Sequence, residues 1–307
     1  MKQRRRGFTL VELSAVLAVV VMLIAMLAPI LSQASESDNR VACRANMQVI
    51  ATAMKIYANE NEEWWPTPAF DEGALGVDPD IRYSGQVMPQ GNCGSPLECA
   101  DPTRLQESTT DWTALSVTRA YWMLIRSGEV DAKRFICPSS DDYAVVNEDV
   151  DQFYDFFSMN NISYGYQVPF GPRETRASEN IDPRMPLGAD HGPYSVSDQM
   201  PDSPKDYHPD TDPSLWQPFN SPNHRGAALR SEFGQNALFQ DGHVSFVRTP
   251  LVGIDGDNLY SHMSDNASRI GRYVGTHPAN GPPPDAFPGQ DTFGAGWHAS
   301  TDSLIWP

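Results

Sequence analysis

Apolar residues crowd the start of the chain. From Phe8 to Leu31, 24 residues carry a single charge, Glu12, and the basic residues Lys2, Arg4, Arg5 and Arg6 precede them. A membrane-spanning helix needs about 20 apolar residues, so residues 8–31 predict one. The basic flank keeps the N-terminus cytoplasmic and puts everything beyond Leu31 outside. A cleaved secretory signal is the competing reading, because Ser32-Gln33-Ala34 supplies small residues for a peptidase. The apolar run, however, exceeds the roughly 7–15 residues of a signal core. Glu12 argues further against it: a carboxylate in lipid costs about 2.5–3.5 kcal/mol and is usually paired and functional. If the chain were cut between Gly7 and Phe8, Glu12 would be the counter-charge of the new α-ammonium, within one chain or in a neighbour.

A second pattern follows without a break. Cys43, Met47, Ile50, Met54 and Tyr57 recur at steps of four, three, four and three, the stripe of an amphipathic helix. Residues 32–61 therefore continue the membrane helix as a head-packed half, fraying at Asn59-Glu60-Asn61 and stopped by Pro66. A helix from Phe8 to Asn59 would be roughly 80 Å long at 1.5 Å per residue. Residues 62–107 read as loop. A helix is expected over 108–127, with Thr110 or Asp111 as N-cap, Gly128 past its end, and Leu115, Tyr121, Trp122, Leu124 and Ile125 facing the core. Ile162 to Val168 is a strand candidate. The clearest β signal is 236–247, two alternating runs around Asp241-Gly242, which predicts a hairpin with a two-residue type I′ turn and positive φ at both turn residues. The fold class is α+β: a long N-terminal transmembrane helix running into a head, residues 62–307, with an antiparallel sheet and long loops.

Composition narrows the function. Among 307 residues, 22 are Lys or Arg and 39 are Asp or Glu, giving a net charge of −17. Such a chain lacks the basic face that neutralises phosphates, so no nucleic-acid partner is expected. The 26 Pro and 22 Gly predict a loop-rich head. No internal repeat, P-loop or dinucleotide fingerprint is present.

All four cysteines fall on the outer side, where disulfides persist. Cys93 and Cys99 are close enough in sequence to close a small loop. Cys43 lies on the buried stripe, and Cys137 sits in a segment expected to pack near it. The pairing favoured is Cys43–Cys137 with Cys93–Cys99, against free buried thiols. No two-residue Cys spacing signals a zinc site. Of the seven histidines, His191, His208, His224 and His243 lie near Asp190 or Asp241 or in polar loops, without a His-Glu-x-x-His pair or a Gly-x-Ser-x-Gly elbow. They read as scattered surface and loop residues. Asp255-Gly256-Asp257-Asn258 lacks the spaced ligands of a calcium loop and reads as a polar turn. No catalytic residue, metal or cofactor is expected.

Two resemblances give this reading a family. Gly7 to Glu12, Gly-Phe-Thr-Leu-Val-Glu, resembles the class III signal of type IV pilins and type II secretion pseudopilins. The resemblance implies that a prepilin peptidase cuts between Gly7 and Phe8 and methylates Phe8, that Glu12 supports subunit assembly, and that Pro29 marks a helix kink. Downstream pieces resemble a bacterial family of prepilin-like proteins whose C-terminal domain is named for a His, nine residues and Asp-Gly. These pieces are Phe135-Ile136-Cys137-Pro138-Ser139, Ser163-Tyr164-Gly165-Tyr166, Met185 to Asp190, Asn223-His224, the hairpin at Asn236 and Asp257 to Tyr260. Sixteen residues separate His224 from Asp241 here, and a seven-residue insertion over Ala227 to Phe233 accounts for the difference. The motif residues would then be His224, Asp241 and Gly242, and they imply a fold rather than a reaction.

The expectation is a non-enzymatic pilin-like subunit of a pseudopilus, pilus or type II secretion-like system. It would sit in the bacterial inner membrane as a single-pass protein, with the prepilin peptidase and other pilin-like subunits as partners. The alternative is a membrane-anchored exported enzyme or ligand-binding protein that uses the same signal.

Overall fold

The structure is a computed structural model that describes residues 9–67, 117–145, 156, 159–167, 178, 180–193, 216, 218–224, 233–261, 303 and 305–306, with backbone alone over 27–34 and at 159 and 306. One helix, α1, runs over Leu10–Glu60. It starts on a capping box: Glu12 N donates to Thr9 Oγ1 at 3.2 Å, and Thr9 N donates to the Glu12 carboxylate at 2.9 Å. Two of the helix's orphan N-terminal groups are satisfied in this way. The backbone stays helical through Pro29. Its end is set earlier than Pro66. Asn61 caps it, donating from Nδ2 to Tyr57 O at 2.7 Å, and Glu62 and Glu63 then turn left-handed with φ of 55° and 67°.

The helix has two different halves. From Leu10 to Met26 every residue is exposed on every face, including Leu10 at 84% and Met22 at 63%. Beyond it, Cys43, Met47, Ile50 and Met54 are buried on one face and Tyr57 is half-buried, as the stripe predicts. Among the described residues no helix is long and apolar enough to cross a membrane; the span expected at 8–31 extends into residues outside them.

Against the buried face lies a five-stranded sheet of β1 (Tyr164–Gln167), β2 (Pro186–Asp190), β3 (Gln235–Phe239), β4 (Val244–Val247) and β5 (Ile305–Trp306), in the order β4-β3-β2-β1-β5. Every pairing is antiparallel. α1 packs on β3, β4 and the 3-10 turn Ala132–Phe135. A second helix, α2 (Thr118–Arg126), packs on β1 and α1. Tyr121 of α2 sits between Phe135 and Tyr166, its ring tilted 47° to each at 5.0 Å, and donates to Gly165 O at 3.1 Å. Tyr121, Trp122, Leu124 and Ile125 are buried as expected. The N-cap of α2 is Val117; Thr110, Asp111 and Leu115 lie outside the described residues.

The hairpin forms where predicted, with a different turn. Phe239 N donates to His243 O, and Gly242 N donates to Phe239 O, so the loop holds three residues, Gln240, Asp241 and Gly242. Only Gly242 takes positive φ, at 89°. This is a type I turn closed by a left-handed glycine bulge rather than a type I′ turn. Gln240, read from sequence as the end of the strand, is drawn into the loop because its N–H donates to Met185 O.

Candidate functional site

A buried polar cluster marks the junction of the long helix with the head. Each member arrives on a different segment. α1 contributes Glu36, Arg40 and Cys43; Cys137 follows the 3-10 turn; Asp190 ends β2; His224 lies in the segment before β3. His224, Asp190, Cys43 and Cys137 are all fully buried.

His224 is the hub. Its Nδ1 lies 2.7 Å from Glu36 Oε1. Its Nε2 faces Asp190 Oδ2 at 3.3 Å and Cys137 Sγ at 3.7 Å. Glu36 also accepts from Ser139 Oγ at 2.8 Å and pairs with Arg40 Nε at 3.3 Å, while the Arg40 guanidinium covers the Phe246 ring at 4.4 Å. Asp190 Oδ2 accepts from Asn236 N at 2.6 Å, but Asp190 Oδ1 is buried with no hydrogen-bond partner among the described residues. One ligand atom from each of Cys43, Cys137, Asp190 and His224 lies within 4.8 Å of the others.

Charge in this cluster balances through protons. Burial disfavours an imidazolium, yet the Asp190 carboxylate, with hydrogen bonds to Asp190, Cys43 and Glu36, pushes His224 up to about 12. Burial likewise opposes the Glu36 carboxylate, and the His224 and Ser139 hydrogen bonds hold it below its ordinary value. A hydrogen bond from Cys137 brings Cys43 down to about 7, and the same bond raises Cys137. Of the two sulfurs, Cys43 is therefore the more acidic. Among the described residues, Cys43, Cys137, Asp190 and His224 expose no surface to solvent.

Several sequence expectations meet this geometry. Cys43 and Cys137 are neighbours, as predicted, but they are free thiols rather than a disulfide. Each sulfur has polar partners besides the other: Cys137 faces His224 and accepts from Ser139 N at 3.4 Å. Cys93, Cys99, His208, Gly7 and Phe8 lie outside the described residues. His191 and His224 are buried rather than scattered on the surface. Burial depresses His191 to about 4.

The His and Asp-Gly motif is not one site. Whereas His224 sits in the cluster, Asp241 is exposed at the hairpin tip. There its Oδ1 caps His243 N at 3.0 Å and meets His243 Nδ1 at 2.5 Å. The Asp241 carbonyl accepts from Lys55 Nζ at 3.1 Å. Both parts of the motif thus touch α1, one at Glu36 and one at Lys55, roughly 28 Å apart along the helix axis. Asp255 to Asn258 does form a turn, with Asp255 at φ 59° and the buried Asp257 carboxylate accepting from Ser303 N at 2.6 Å.

Sequence reasoning missed Glu36 and the partnership of Asp190 with His224. No spacing announces either, because the chain must fold before they meet. The capping box was in view as Thr9-x-x-Glu12 and needed only the question of what starts the helix.

Residues 2–28 match the family described as "Prokaryotic N-terminal methylation motif". Residues 2–28 thus carry a prepilin-type N-terminal motif. The match takes in the basic leader, Gly7, Phe8 and Glu12. No curated protein and no solved structure matches the chain.

Proposed function

We propose that the chain is a pilin-like subunit with a structural role. A prepilin peptidase cuts between Gly7 and Phe8 and methylates Phe8. The apolar stretch 8–31 anchors the product in the inner membrane with its head outside, and then packs beside other pilin-like subunits in a pseudopilus or pilus.

The observation that carries this reading is the prepilin-type motif placed on a helix of two unlike halves. Leu10 to Met26, apolar but for Glu12 and Ser14, is exposed all round, while the stripe from Cys43 to Met54 is fixed to the sheet. A helix hydrophobic on every face requires an apolar surrounding, which a bilayer or a bundle of like helices supplies. Glu12 and Thr9 sit at its start, where Glu12 meets the new N-terminal ammonium after cleavage. The buried His224 cluster ties α1 to the head, which suits a structural role.

Assembly is tested by a photo-cross-linking residue at Val16 or Val20 in native membranes. The reading expects cross-linked multimers of this chain or adducts with other pilin-like chains. Monomer alone from both positions overturns it.

A further inference from the structure

We infer that Cys43, Cys137, Asp190 and His224 form a closed four-ligand site for one divalent metal ion of the zinc class. Four protein ligands of N, S and O type around one centre are the donor set of a structural zinc site. The two sulfurs exclude magnesium and calcium, which take oxygen ligands.

The distances suit the ion. With zinc bonds of about 2.3 Å to sulfur and about 2.0–2.2 Å to nitrogen and oxygen, a tetrahedron has edges of roughly 3.6 Å between S and N and 3.4 Å between N and O. Cys137 Sγ and His224 Nε2 are 3.7 Å apart, and His224 Nε2 and Asp190 Oδ2 are 3.3 Å apart. All four ligand atoms fit within a 4.8 Å envelope.

Two further observations point the same way. Glu36 Oε1 lies 2.7 Å from His224 Nδ1. A carboxylate on the far ring nitrogen fixes the tautomer that leaves Nε2 as a ligand, the usual outer partner of a metal-bound histidine. In addition, Asp190 Oδ2 is held by Asn236 N at 2.6 Å, while the buried Oδ1 of the same carboxylate has no hydrogen-bond partner among the described residues, so the carboxylate keeps coordinating capacity that a cation would take up. Binding displaces protons from sulfur and from Nε2 to water, and nothing is oxidised.

The ion would staple the long helix, the Cys137 segment, β2 and the His224 segment at one point. This is independent of how the N-terminus is processed. It also gives the histidine of the His and Asp-Gly motif a chemical task that Asp241 does not share.

The test uses the full-length chain purified in detergent without chelator. Metal analysis should find about one zinc per chain, retained when Cys93 and Cys99 are both replaced by Ser and lost in Cys137→Ser and His224→Ala. Where those variants fail to fold, cobalt replaces zinc in the unaltered chain. Intense visible bands with sulfur-to-cobalt charge transfer then identify tetrahedral thiolate ligation. Chelation should lower the melting temperature by roughly 10 °C or more, restored by added zinc. Absence of stoichiometric metal, a Cys43–Cys137 disulfide in mass analysis, or a cobalt spectrum without sulfur charge transfer overturns the proposal.

Discussion

Glu36 and His224, 188 residues apart in the chain, meet at 2.7 Å beside the middle of the long helix. The pair ties α1 to the segment before β3, and Ser139 and Arg40 complete the Glu36 environment. Replacing Glu36 by Ala leaves His224 Nδ1 buried without its partner, while Asp190 still faces Nε2. Leaving one buried hydrogen-bonding atom unpaired in this way costs about 1–3 kcal/mol. Urea unfolding of the full chain should show that loss, and Glu36→Gln, which keeps an acceptor, should lose less.

The two parts of the His and Asp-Gly motif should respond differently to mutation. His224→Ala is expected to destabilise by several kcal/mol, whereas Asp241→Ala should cost less than about 1 kcal/mol because its partner His243 is exposed. The backbone N–H of His243 is the main cause holding the Asp241 carboxyl below its ordinary value. Its small contribution is therefore complete above the ordinary 3.8 and is lost as pH falls through the lower folded value. Additive losses in the double variant would agree with two separate anchors; strong coupling would contradict them.

At the hairpin tip, Gly242→Ala forces a Cβ onto φ of 89°. Space is not the obstacle, since that Cβ meets only Lys55 at 3.4 Å. The expected cost is about 1 kcal/mol or more, from backbone strain, and Gly242→Asn should lose less. Thermal melts of the two variants check the order.

Position on α1 should decide the cost of truncation. Met47→Ala or Ile50→Ala on the buried face should lose about 2–5 kcal/mol. Ile56→Ala, at 43% exposure, should lose well under half as much. Equal losses would mean that the helix meets the sheet by another face.

Glu12 has two tasks that one substitution separates. As an N-terminal cap it needs only an acceptor for Thr9, which Glu12→Gln retains. As the partner of the processed N-terminus it needs its charge. The variant should therefore insert and fold normally yet fail to enter sheared filaments. Normal incorporation would reduce Glu12 to a cap.

Periodic and local features were legible in the sequence. Cys43, Met47, Ile50 and Met54 declare a helix face because every fourth or third residue must reach the same core. Asp241-Gly242 declares a reversal, but the turn type depended on Gln240, whose N–H is claimed by Met185 O from a neighbouring segment. That contact is tertiary and leaves no mark on hairpin spacing. The same limit hid the cluster. Cys43 and Cys137 were placed together by the helix stripe, while Glu36 and Asp190 became visible as partners of His224 only when α1, the end of β2 and the segment before β3 converged.

The most direct test of the account is the intact mass of the mature chain isolated from its own membranes, with sequencing of its first residues. The account predicts a chain that begins at Phe8 and carries one methyl group on its α-amine. A chain beginning at Ser35, or one that retains Met1 to Gly7 in cells with active prepilin peptidase, would contradict it.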